Sequence, residues 1–376
     1  MSTQILEPLV IPADNPLPVL DALESAIAGE RSLLPLPEKD LGRQATLRAS
    51  QRAGEAITAT ALVMATSGST GVPKGAQLTP VNLVSSADAT HQFLGGAGQW
   101  HLALPAHHIA GIQVLVRSLI AGIEPSYQDV SQGFDLTDFA VAADELARTG
   151  DRSYTSLVPN QLTKAMEHLQ GIEALRLFDA VLVGGAPVTK DTLRAARELG
   201  INVVTTYGSS ETAGGCVYNG RAIPGAHIRL VGERIHLGGP MIAAGYRNAP
   251  DHEAFAEPGW FSTSDSGVLD NGILKVTGRL DNAIITGGLK IHPEVVEEAL
   301  LNVAGVTGAC VVGVPDARLG QQIVAAYTGD LSPAGVIEGL DDLQRWQLPR
   351  QLLHLDEMPL IGPGKVDRKK VERLLG

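Results

Sequence analysis

The chain has 376 residues, of which 44% are hydrophobic, 19% charged and 4% aromatic, with 42 glycines and a formal net charge of -12. This composition is typical of a folded α/β enzyme of two or three domains and argues against a disordered chain. The negative charge argues against nucleic acid as a partner, because a phosphate backbone requires a broad cationic face.

The cysteines and the N-terminal sequence bear on where the protein works. Cys216 and Cys310 stand far apart, without a Cys-x-x-Cys pair or a histidine cluster nearby, so neither a disulfide framework nor a zinc site is predicted. Residues 1–10 contain no basic region followed by an apolar stretch, and the most apolar tract, residues 101–123, is interrupted by polar side chains. We therefore expect a cytoplasmic protein without membrane insertion.

In chain order, two weak helical patterns come first, at residues 17–28 and 40–56, separated by a proline-containing stretch at 33–39. No chemistry is assigned to them. The apolar run 61–65 then predicts a buried strand, and an apolar pattern from Leu83 onward predicts a helix. A strand, a loop and a helix are therefore expected in that order.

The loop between them, residues 66–75, is rich in hydroxyls and glycine and ends in Lys74 and Gly75. Its glycines let successive N–H groups point inward, its hydroxyls add donors, and Lys74 adds a charge, a combination suited to a polyphosphate. It is not a Walker A loop, because Pro73 precedes the lysine and no Ser or Thr follows it. A flexible linker is the alternative reading. We predict ATP chemistry, with Thr66, Ser67, Gly68, Ser69, Thr70, Gly71 and Lys74 as the binding residues.

Between residues 61 and 230 apolar strand-like runs alternate with amphipathic stretches, which predicts a largely parallel sheet covered by helices. Short strands separated by turns follow at 228–276 and predict a small antiparallel or barrel-like subdomain. The alternating segments are 100–104, 108–121, 153–157, 180–183, 190–199 and 202–206.

A boundary near residues 279–281 precedes a compact α+β module. We therefore expect an α/β protein with an N-terminal domain at 1–280 and a C-terminal α+β domain at 281–376. Within the module the pattern predicts helices at 293–302 and 334–346, strands at 307–314 and 321–327, and a final short helix.

Polar residues follow the predicted strand 202–206, at the strand end where α/β sheets place ligands. Tyr207 is suited to stacking on a base, and the carboxylate of Glu211 is suited to Mg²⁺. Without this context, a residue such as Glu211 is more often an acid at a helix N-terminus.

Other polar positions are weaker signals when taken singly. Asp265 follows an aromatic strand and is suited to accepting hydrogen bonds from ribose hydroxyls, although it also reads as a turn residue. The glycines at 184–185 end a buried strand and would let a flat ring approach the backbone, or simply form a turn. Arg279 and Asp281 open a charged segment that suits a domain linker.

Lys365 lies in a glycine-bent loop at 361–368, before the final helix. A lysine there and a polyphosphate loop in the other domain suggest a site assembled between domains. A solvated basic tail is the alternative, since Arg368, Lys369 and Lys370 follow.

Together these segments resemble the adenylate-forming superfamily, which includes acyl-CoA synthetases, luciferases and peptide-synthetase adenylation domains. The resemblance extends from Ala61 to Arg368 and rests on the phosphate loop and the Tyr-Gly-x-x-Glu-Thr, Gly-Trp-Phe-x-Thr-x-Asp, Gly-Arg-x-Asp and Gly-Lys-Val-Asp-Arg segments. It departs from the superfamily at Ser264 and Asn282, where a glycine and an acid are usual, and in a truncated N-terminal subdomain. It implies a large N-terminal domain and a small, mobile C-terminal one.

The resemblance also implies roles for the matching residues. Glu211 and Thr66 would hold Mg²⁺, Lys365, His108 and Glu211 would be catalytic, and Asp281 would be the hinge. Residues 66–75 would bind the β- and γ-phosphates. The other implied contacts are Gly185, Ala186, Tyr207, Gly208 and Thr212 beside the nucleotide, Asp265 and Arg279 on the ribose, and Gly287 and Gly288 along the CoA pantetheine tunnel.

The sequence specifies the acyl pocket less closely than the nucleotide site. In the superfamily the segment equivalent to 104–111, which contains His107 and His108, lines the acyl site, although a lone histidine pair is more often structural. Segments 104–122 and 205–218 resemble the short actinobacterial o-succinylbenzoate CoA ligases of menaquinone biosynthesis. Such a substrate has two carboxylates and an aromatic ring. The candidate donors are His107, His108, Ser210 and Thr212, and Gly214 and Gly215 are the candidates for leaving room for the ring.

The resemblance thus implies a ligase that uses ATP, Mg²⁺ and CoA to convert a carboxylate, with o-succinylbenzoate favoured, into an acyl-adenylate and then a thioester. Its partners would be small molecules, and assembly into a homo-oligomer is left open. The rivals are another aryl or fatty acyl-CoA ligase, an adenylating enzyme that serves a carrier protein, and a catalytically silent nucleotide-binding protein.

Overall fold

The computed structural model describes residues 3–66, 72–341, 343–360 and 366–376. Among these residues the strands are β1 (Thr3–Ile11), β2 (Ser32–Pro37), β3 (Ala56–Thr58), β4 (Leu62–Ala65), β5 (Gly75–Leu78), β6 (Gln99–Leu102), β7 (Ser126–Tyr127), β8 (Ser153–Leu157), β9 (Ala180–Val183), β10 (Val203–Ser209), β11 (Gly214–Tyr218), β12 (Arg221–Ala222), β13 (His227–Val231), β14 (Arg234–Gly238), β15 (Trp260–Asp270), β16 (Ile273–Arg279), β17 (Ile284–Thr286), β18 (Leu289–Ile291), β19 (Val306–Asp316), β20 (Gly320–Gly329) and β21 (Gln351–His354). The α-helices are α1 (Leu20–Ile27), α2 (Leu41–Ser50), α3 (Pro80–Leu94), α4 (Ile109–Ala121), α5 (Leu136–Thr149), α6 (Pro159–Met166), α7 (Leu169–Leu177), α8 (Lys190–Glu198), α9 (Pro293–Leu301), α10 (Pro333–Glu338) and α11 (Arg368–Leu375).

The first sheet has five strands in the order β3-β1-β2-β4-β5. The sequence does not predict β1 or β2, and most of the proline-containing separator expected at 33–39 belongs to a fully buried strand, β2. Its prolines are tolerated because β2 pairs with β4 at Leu33, before Pro35 and Pro37. On its other side β2 runs parallel to β1 through Pro37.

The predicted polyphosphate loop is in a different setting from the one expected. The strand β4 is confirmed, but it pairs antiparallel with β5, which begins at Gly75, and α3 starts only at Pro80. The order is therefore strand, loop, strand, helix. The four residues of β5, which include a glycine and a glutamine, are too few to show an alternating pattern.

The second sheet has seven strands in the order β12-β11-β10-β9-β8-β6-β7. Strands β7, β6, β8, β9 and β10 are parallel, whereas β11 and β12 are antiparallel. The predicted, largely parallel sheet with covering helices is thus confirmed. A core of apolar side chains lies between this sheet and its helices and includes Phe139, Leu157, Leu162, Leu175 and Phe178.

Parallel strands end at a common edge of a sheet, so the segments that follow β6, β9 and β10 meet there. These segments carry His107 and His108, Gly185 and Ala186, and Ser210 to Thr212. The fold therefore places three of the predicted site segments on one edge.

The region 228–276 forms the predicted antiparallel sheet, with strand order β13-β14-β15-β16. The last sheet contains β18-β17-β20-β19, with β21 parallel to β20, and packs its apolar core against α9 and α10. The helix predicted at 334–346 was wrong in its extent, because α10 ends at Glu338, immediately before Gly339.

By compactness the chain divides into two units. Unit 1 comprises Met1–Val188, Leu193–Arg229 and His236–Thr263, and unit 2 comprises Thr189–Thr192, Leu230–Ile235 and Ser264–Gly376. A pivot at Asp281 is a statement about motion and stays a prediction. In the part of the chain described here, no helix combines the length and apolar character needed to cross a membrane.

Candidate active site

The predicted polyphosphate segment lies between the antiparallel strands β4 and β5. Ser67, Gly68, Ser69, Thr70 and Gly71 fall outside the described residues. Thr66 donates its backbone N–H to the carbonyl of Lys74 at 2.8 Å. This hydrogen bond ties the first residue of the segment to its lysine.

Two side chains fix the backbone just before β5. Gln51 and Asn248 donate to the carbonyl of Pro73 at 2.7 and 2.9 Å, and the side-chain oxygen of Asn248 accepts from the N–H of Gly75 at 3.1 Å. Gln51 is fully buried, and a Cβ added at Gly75 would lie 2.0 Å from its Oε1. Packing therefore requires glycine at position 75. Lys74 is held between two anchored neighbours.

The side chain of Lys74 lies beside a histidine and a tyrosine of unit 1. Its Nζ is 2.8 Å from Nε2 of His252 and 5.2 Å from the ring centroid of Tyr246. The Tyr246 hydroxyl in turn donates to Oε1 of Glu211 at 2.6 Å. The predicted phosphate lysine and the predicted magnesium ligand are thus connected through two further side chains.

Both connecting side chains are uncharged at neutral pH. Burial, together with the carboxylate of Glu211, raises the pKa of Tyr246 above its usual value. Burial, and then the charge of Lys74, lowers the pKa of His252. Tyr246 therefore remains a hydrogen-bond donor to the carboxylate, and Nδ1 of His252 accepts from the backbone N–H of Ala254 at 3.2 Å.

The surroundings of Glu211 fit a magnesium–nucleotide complex. Glu211 is buried and lies in a short 3-10 turn, Ser210–Thr212, that follows β10. Within the described ranges, no group of three or more His, Cys, Asp and Glu side chains is arranged to hold a metal ion. Mg²⁺ bound with a nucleotide takes most ligands from phosphate oxygens and water and needs only one or two carboxylates. A single carboxylate at Glu211 meets that requirement.

Thr212 shapes this turn and has no hydrogen left to donate to a substrate. Its side chain is fully buried, and its hydroxyl lies 2.6 Å from the carbonyl of Gly214 while accepting from the N–H of Ser209 at 2.9 Å. A hydroxyl has one donor hydrogen, and in this geometry a backbone carbonyl takes it. In this geometry the hydroxyl is engaged within the turn, and the roles of Thr212 and Ser210 toward the substrate stay predictions.

The residues predicted beside the adenine follow adjacent parallel strands. Gly185 and Ala186 are exposed after β9, and Gly185 has a φ of +83°, which favours glycine. Tyr207 is half-buried in β10. Gly208 is required by packing, since a Cβ there would lie 2.2 Å from the carbonyl oxygen of Gly214. Their roles toward the nucleotide stay predictions.

His107 and His108 lie between β6 and α4 with ring centroids 4.2 Å apart. Burial, followed by the neighbouring imidazole of His108 and the charge of Arg43, lowers the pKa of His107 to about 3. Burial and Arg43 also lower the pKa of His108. Both rings are therefore neutral at physiological pH and act as hydrogen-bonding groups, not as cations.

Helix α4 carries two polar side chains that the sequence did not single out, Gln113 and Arg117. Gln113 is fully buried and donates to the carbonyl of Ala213 at 2.6 Å. Arg117 is 3% exposed, stacks on the ring of Trp100 at 4.7 Å and donates to the hydroxyl of Tyr218 at 3.4 Å. A guanidinium group is thus buried beside β11.

These two side chains retain hydrogen-bonding capacity. Among the described residues, Oε1 of Gln113 and Nε of Arg117 are buried without a partner. A Cβ at Gly214 would lie 3.3 Å from Gln113, and one at Gly215 would lie 2.9 Å from the ring of Tyr218. The ring of Tyr218 thus explains why position 215 is a glycine. That Gly214 and Gly215 leave room for a substrate ring stays a prediction.

Unit 2 brings the predicted ribose and hinge residues together. Asp265 and Arg279 are cross-strand partners in β15 and β16, with Nη1 of Arg279 3.7 Å from Oδ1 of Asp265. Arg279 also makes a two-pronged contact with Asp281, at 2.9 and 2.6 Å. This contact, and then the charge of Asp265, raises the pKa of Arg279. The guanidinium therefore bridges the predicted ribose carboxylate and the predicted hinge.

The remaining predicted residues of unit 2 are only partly described. Gly287 and Gly288 form the turn between β17 and β18 with φ values of +57° and +80°, which explains glycine at both positions. Lys365 lies outside the described residues. Beyond it, Arg368 donates to the carbonyl of Val311 at 2.8 Å and anchors the start of α11 to β19.

Sequence reasoning missed Gln51, Gln113, Arg117, Asn248 and His252. Arg117 carried a visible signal, because a cation inside an otherwise apolar helical segment must be buried with a partner or a function. The others show no local signal. Gln51 and His252 meet the polyphosphate segment only through contacts between residues distant in the sequence.

Comparison with family models matches residues 14–246 to the AMP-binding enzyme family and residues 295–365 to the AMP-binding enzyme C-terminal domain. A probable 2-succinylbenzoate–CoA ligase of Mycobacterium tuberculosis is 44% identical over 366 residues, which is 94% of each chain. A 2-succinylbenzoate–CoA ligase of Listeria monocytogenes is 31% identical and covers 94% of this chain and 77% of the relative.

Among solved structures, the o-succinylbenzoate CoA synthetase of Bacillus subtilis in complex with its acyl-adenylate intermediate superposes with a TM-score of 0.85. It shares 24% identity, and the match covers 98% of this chain and 88% of that one. The same synthetase in complex with ATP and magnesium ion gives a TM-score of 0.84 at 24% identity, over 98% and 89% of the two chains. These likenesses show the fold.

Proposed function

We propose that the chain, which belongs to the AMP-binding enzyme family, is an AMP-forming 2-succinylbenzoate–CoA ligase. It would convert the succinyl carboxylate of o-succinylbenzoate into an acyl-adenylate and then into a CoA thioester, a step of menaquinone biosynthesis. The relatives at 44% and 31% identity, each aligned with 94% of the chain, support this substrate.

The observation that carries the choice of acid is the buried guanidinium of Arg117. It lies beside β11, and its Nε has no partner among the described residues. A buried cation without a carboxylate is unfavourable, and an anionic ligand would relieve that cost. o-Succinylbenzoate carries a second carboxylate on its ring, and Arg117 is the cation we assign to it.

In the first half-reaction a carboxylate oxygen of the substrate attacks the α-phosphorus of ATP. The bond from that phosphorus to the bridging oxygen breaks, and pyrophosphate leaves. Lys74 would bind the β- and γ-phosphates, and Lys365 would stabilise the charge that develops as two anions approach each other. His108, neutral at physiological pH, would orient the attacking carboxylate by a hydrogen bond.

Magnesium, when bound, would neutralise part of the phosphate charge and favour departure of pyrophosphate. Glu211 is the carboxylate that would hold it, and Tyr246 orients that carboxylate by its 2.6 Å hydrogen bond. Thr66 is the second proposed ligand.

In the second half-reaction the CoA thiolate attacks the acyl carbon. The bond from that carbon to the AMP oxygen breaks, and AMP leaves with the electron pair. We propose that the C-terminal domain pivots at Asp281 between the two half-reactions, so that Lys365 serves the first and the Gly287–Gly288 turn lines the CoA path in the second.

The proposal places the enzyme in the cytoplasm, where ATP and CoA are available. Both cysteines are free and buried, as expected for a protein in a reducing compartment.

The test is pyrophosphate release across a panel of acids, with and without CoA. The panel includes o-succinylbenzoate, 4-oxo-4-phenylbutanoate (the same molecule without the ring carboxylate), benzoate and a medium-chain fatty acid. We expect release with o-succinylbenzoate to exceed that with every other acid by at least about tenfold. Equal rates with 4-oxo-4-phenylbutanoate would refute the assigned substrate, and no release with any acid would refute the ligase activity.

A further inference from the structure

Tyr218 has no assigned role in any of the predicted motifs, yet its hydroxyl oxygen accepts a hydrogen from Nη2 of Arg117 at 3.4 Å. Tyr218 lies in β11 and is fully buried, and its ring stands edge-on to Phe93 with centroids 5.1 Å apart. The tyrosine and the arginine are 101 positions apart in the sequence. A buried phenol is thus held against the cation that we assign to the substrate.

A chain of hydroxyl groups determines which way the Tyr218 hydroxyl points. Thr90 in α3 is fully buried, and its hydroxyl donates to the backbone carbonyl of Ser86 at 2.8 Å. Because this donation uses the one hydrogen of the Thr90 hydroxyl, Thr90 must accept in its 2.9 Å contact with the Tyr218 hydroxyl. Tyr218 therefore donates to Thr90 and has lone pairs left for Arg117.

The contacts of Arg117 hold its guanidinium group in place without adding a counter-charge. The ring of Trp100 lies 4.7 Å from the guanidinium carbon, and the Tyr218 oxygen accepts from Nη2. Neither an indole ring nor a phenol hydroxyl carries a full negative charge. The guanidinium group is planar and its N–H groups form a rigid fork, so contacts at one face and at Nη2 also fix the direction of Nε. Within the described part of the chain, that Nε is buried and has no hydrogen-bond partner.

We propose that Tyr218 is a positioning residue for the choice of acid, because its hydroxyl, oriented by Thr90, holds Arg117 with Nε directed at the ring carboxylate of the substrate. The inference rests on the proposed function, which assigns the ring carboxylate to Arg117. Tyr218 acts through Arg117 and needs no contact with the substrate. A carboxylate in place of the phenol would also hold the guanidinium, but it would neutralise the charge that attracts the ring carboxylate.

The test is a double-mutant cycle on steady-state pyrophosphate release by the full chain, with o-succinylbenzoate and with 4-oxo-4-phenylbutanoate. The variants are Tyr218→Phe, which removes only the hydroxyl, Arg117→Met and the double variant. We expect Tyr218→Phe to raise KM for o-succinylbenzoate about fivefold, the effect of one hydrogen bond, and to change kcat by less than about twofold. KM for 4-oxo-4-phenylbutanoate should change by less than about twofold. In the Arg117→Met background the same substitution should leave both KM values unchanged.

Tyr154→Phe is the matched control. Tyr154 is also fully buried beside Trp100, but its hydroxyl donates to the backbone carbonyl of Gly96 at 3.0 Å. This variant should leave the ratio of the two KM values unchanged. Thermal melting identifies any variant that loses its fold. If Tyr218→Phe is one of them, Thr90→Val, which removes the acceptor for the Tyr218 hydrogen, replaces it in the cycle, with Thr90→Ser as the control that keeps a hydroxyl.

A rise in KM that is confined to o-succinylbenzoate and disappears in the Arg117→Met background supports the positioning role of Tyr218. An equal rise with both acids, a rise that persists without Arg117, or an unchanged KM for o-succinylbenzoate would overturn it. Failure of the proposed function gives a different result, since equal rates of pyrophosphate release from both acids would then be seen with the unchanged chain alone.

Discussion

Arg117 is the residue to which we assign the ring carboxylate of the proposed substrate. A guanidinium that is 3% exposed and stacked on Trp100 is held in a fixed place, and its pKa is lowered by burial. A fixed, desolvated cation discriminates strongly between an acid that carries a second carboxylate and one that does not.

We expect Arg117→Met to lower kcat/KM for o-succinylbenzoate about 100-fold, because a buried charge-assisted hydrogen bond is lost. The value for 4-oxo-4-phenylbutanoate should change by less than about threefold, since that acid has no ring carboxylate to bind. Steady-state pyrophosphate release with both acids measures the two values. Arg117→Lys, which keeps the charge, is the control. A similar loss with both acids would mean that Arg117 supports only the packing around Trp100.

Lys365 is proposed to act in one half-reaction only. Lys365→Ala should reduce adenylation by about 10²–10³-fold, because a charge that stabilises the phosphoryl oxygens in the transition state is removed. Thioester formation from preformed acyl-adenylate and CoA should stay within about threefold of the unchanged enzyme. Separate single-turnover assays of the two steps provide the measurement, with Lys369→Ala as a matched control on the same tail. Equal losses in both steps would remove the assigned role.

At the scale of elements, the parallel sheet carries a buried histidine, His101, whose protonation opposes folding. His101 in β6 is fully buried, with Nδ1 3.0 Å from Ser126 and Nε2 3.1 Å from Gln128. Burial lowers its pKa to about 4. In the unfolded chain a histidine titrates near its ordinary value of about 6.5, so between these two values the unfolded state binds the extra proton.

The free energy of unfolding should therefore fall as the pH drops from about 6.5 toward about 4, in part through His101. We expect the decrease between pH 7.5 and pH 4.5 to be smaller by about 2 kcal/mol in His101→Gln than in the unchanged chain. Urea unfolding at both pH values measures this difference, and any pH-independent effect of the substitution cancels. His168→Gln, at an exposed position, should not alter the decrease. An identical decrease in His101→Gln would show that this histidine is not held neutral.

The elements that the sequence predicted are those whose pattern is local. The strands at 153–157 and 180–183 are continuous apolar or mixed runs with clear ends, and they match β8 and β9 residue for residue. Strand β2 was missed because its two prolines argue against a strand. They are tolerated here because β2 pairs with β4 at Leu33, before either proline. Strand β5 was missed because it is short, and the helix at 334–346 was overextended through Gly339.

The candidate site likewise has parts that the sequence predicts and parts that it does not. Segments such as 66–75 and 207–212 are recognisable because their chemistry is contiguous in the sequence, and the resemblance assigns them roles. The supports of those segments are not contiguous. The contacts of Lys74 with His252 and of Pro73 with Gln51 and Asn248 arise only when distant segments pack together, so no spacing in the sequence reports them.

At the scale of the whole molecule, the predicted residues are shared between two compact units. Unit 1 carries the predicted phosphate lysine Lys74, the Glu211 carboxylate and the proposed acyl pocket, while unit 2 carries Asp265, Arg279 and the proposed pivot. The contact of Arg279 with both Asp265 and Asp281 lies within unit 2. If the chain pivots at Asp281, the guanidinium of Arg279 therefore contacts both the proposed ribose ligand, Asp265, and the pivot residue itself.

We propose that one chain forms an acyl-adenylate and then transfers the acyl group to CoA. Mass spectrometry of the species formed from ATP, Mg²⁺ and o-succinylbenzoate, first without CoA and then after its addition, tests both steps in one sample. We expect o-succinylbenzoyl-AMP before CoA is added and its replacement by o-succinylbenzoyl-CoA and AMP afterwards. Release of ADP in place of AMP, or thioester formation without a preceding adenylate, would contradict it.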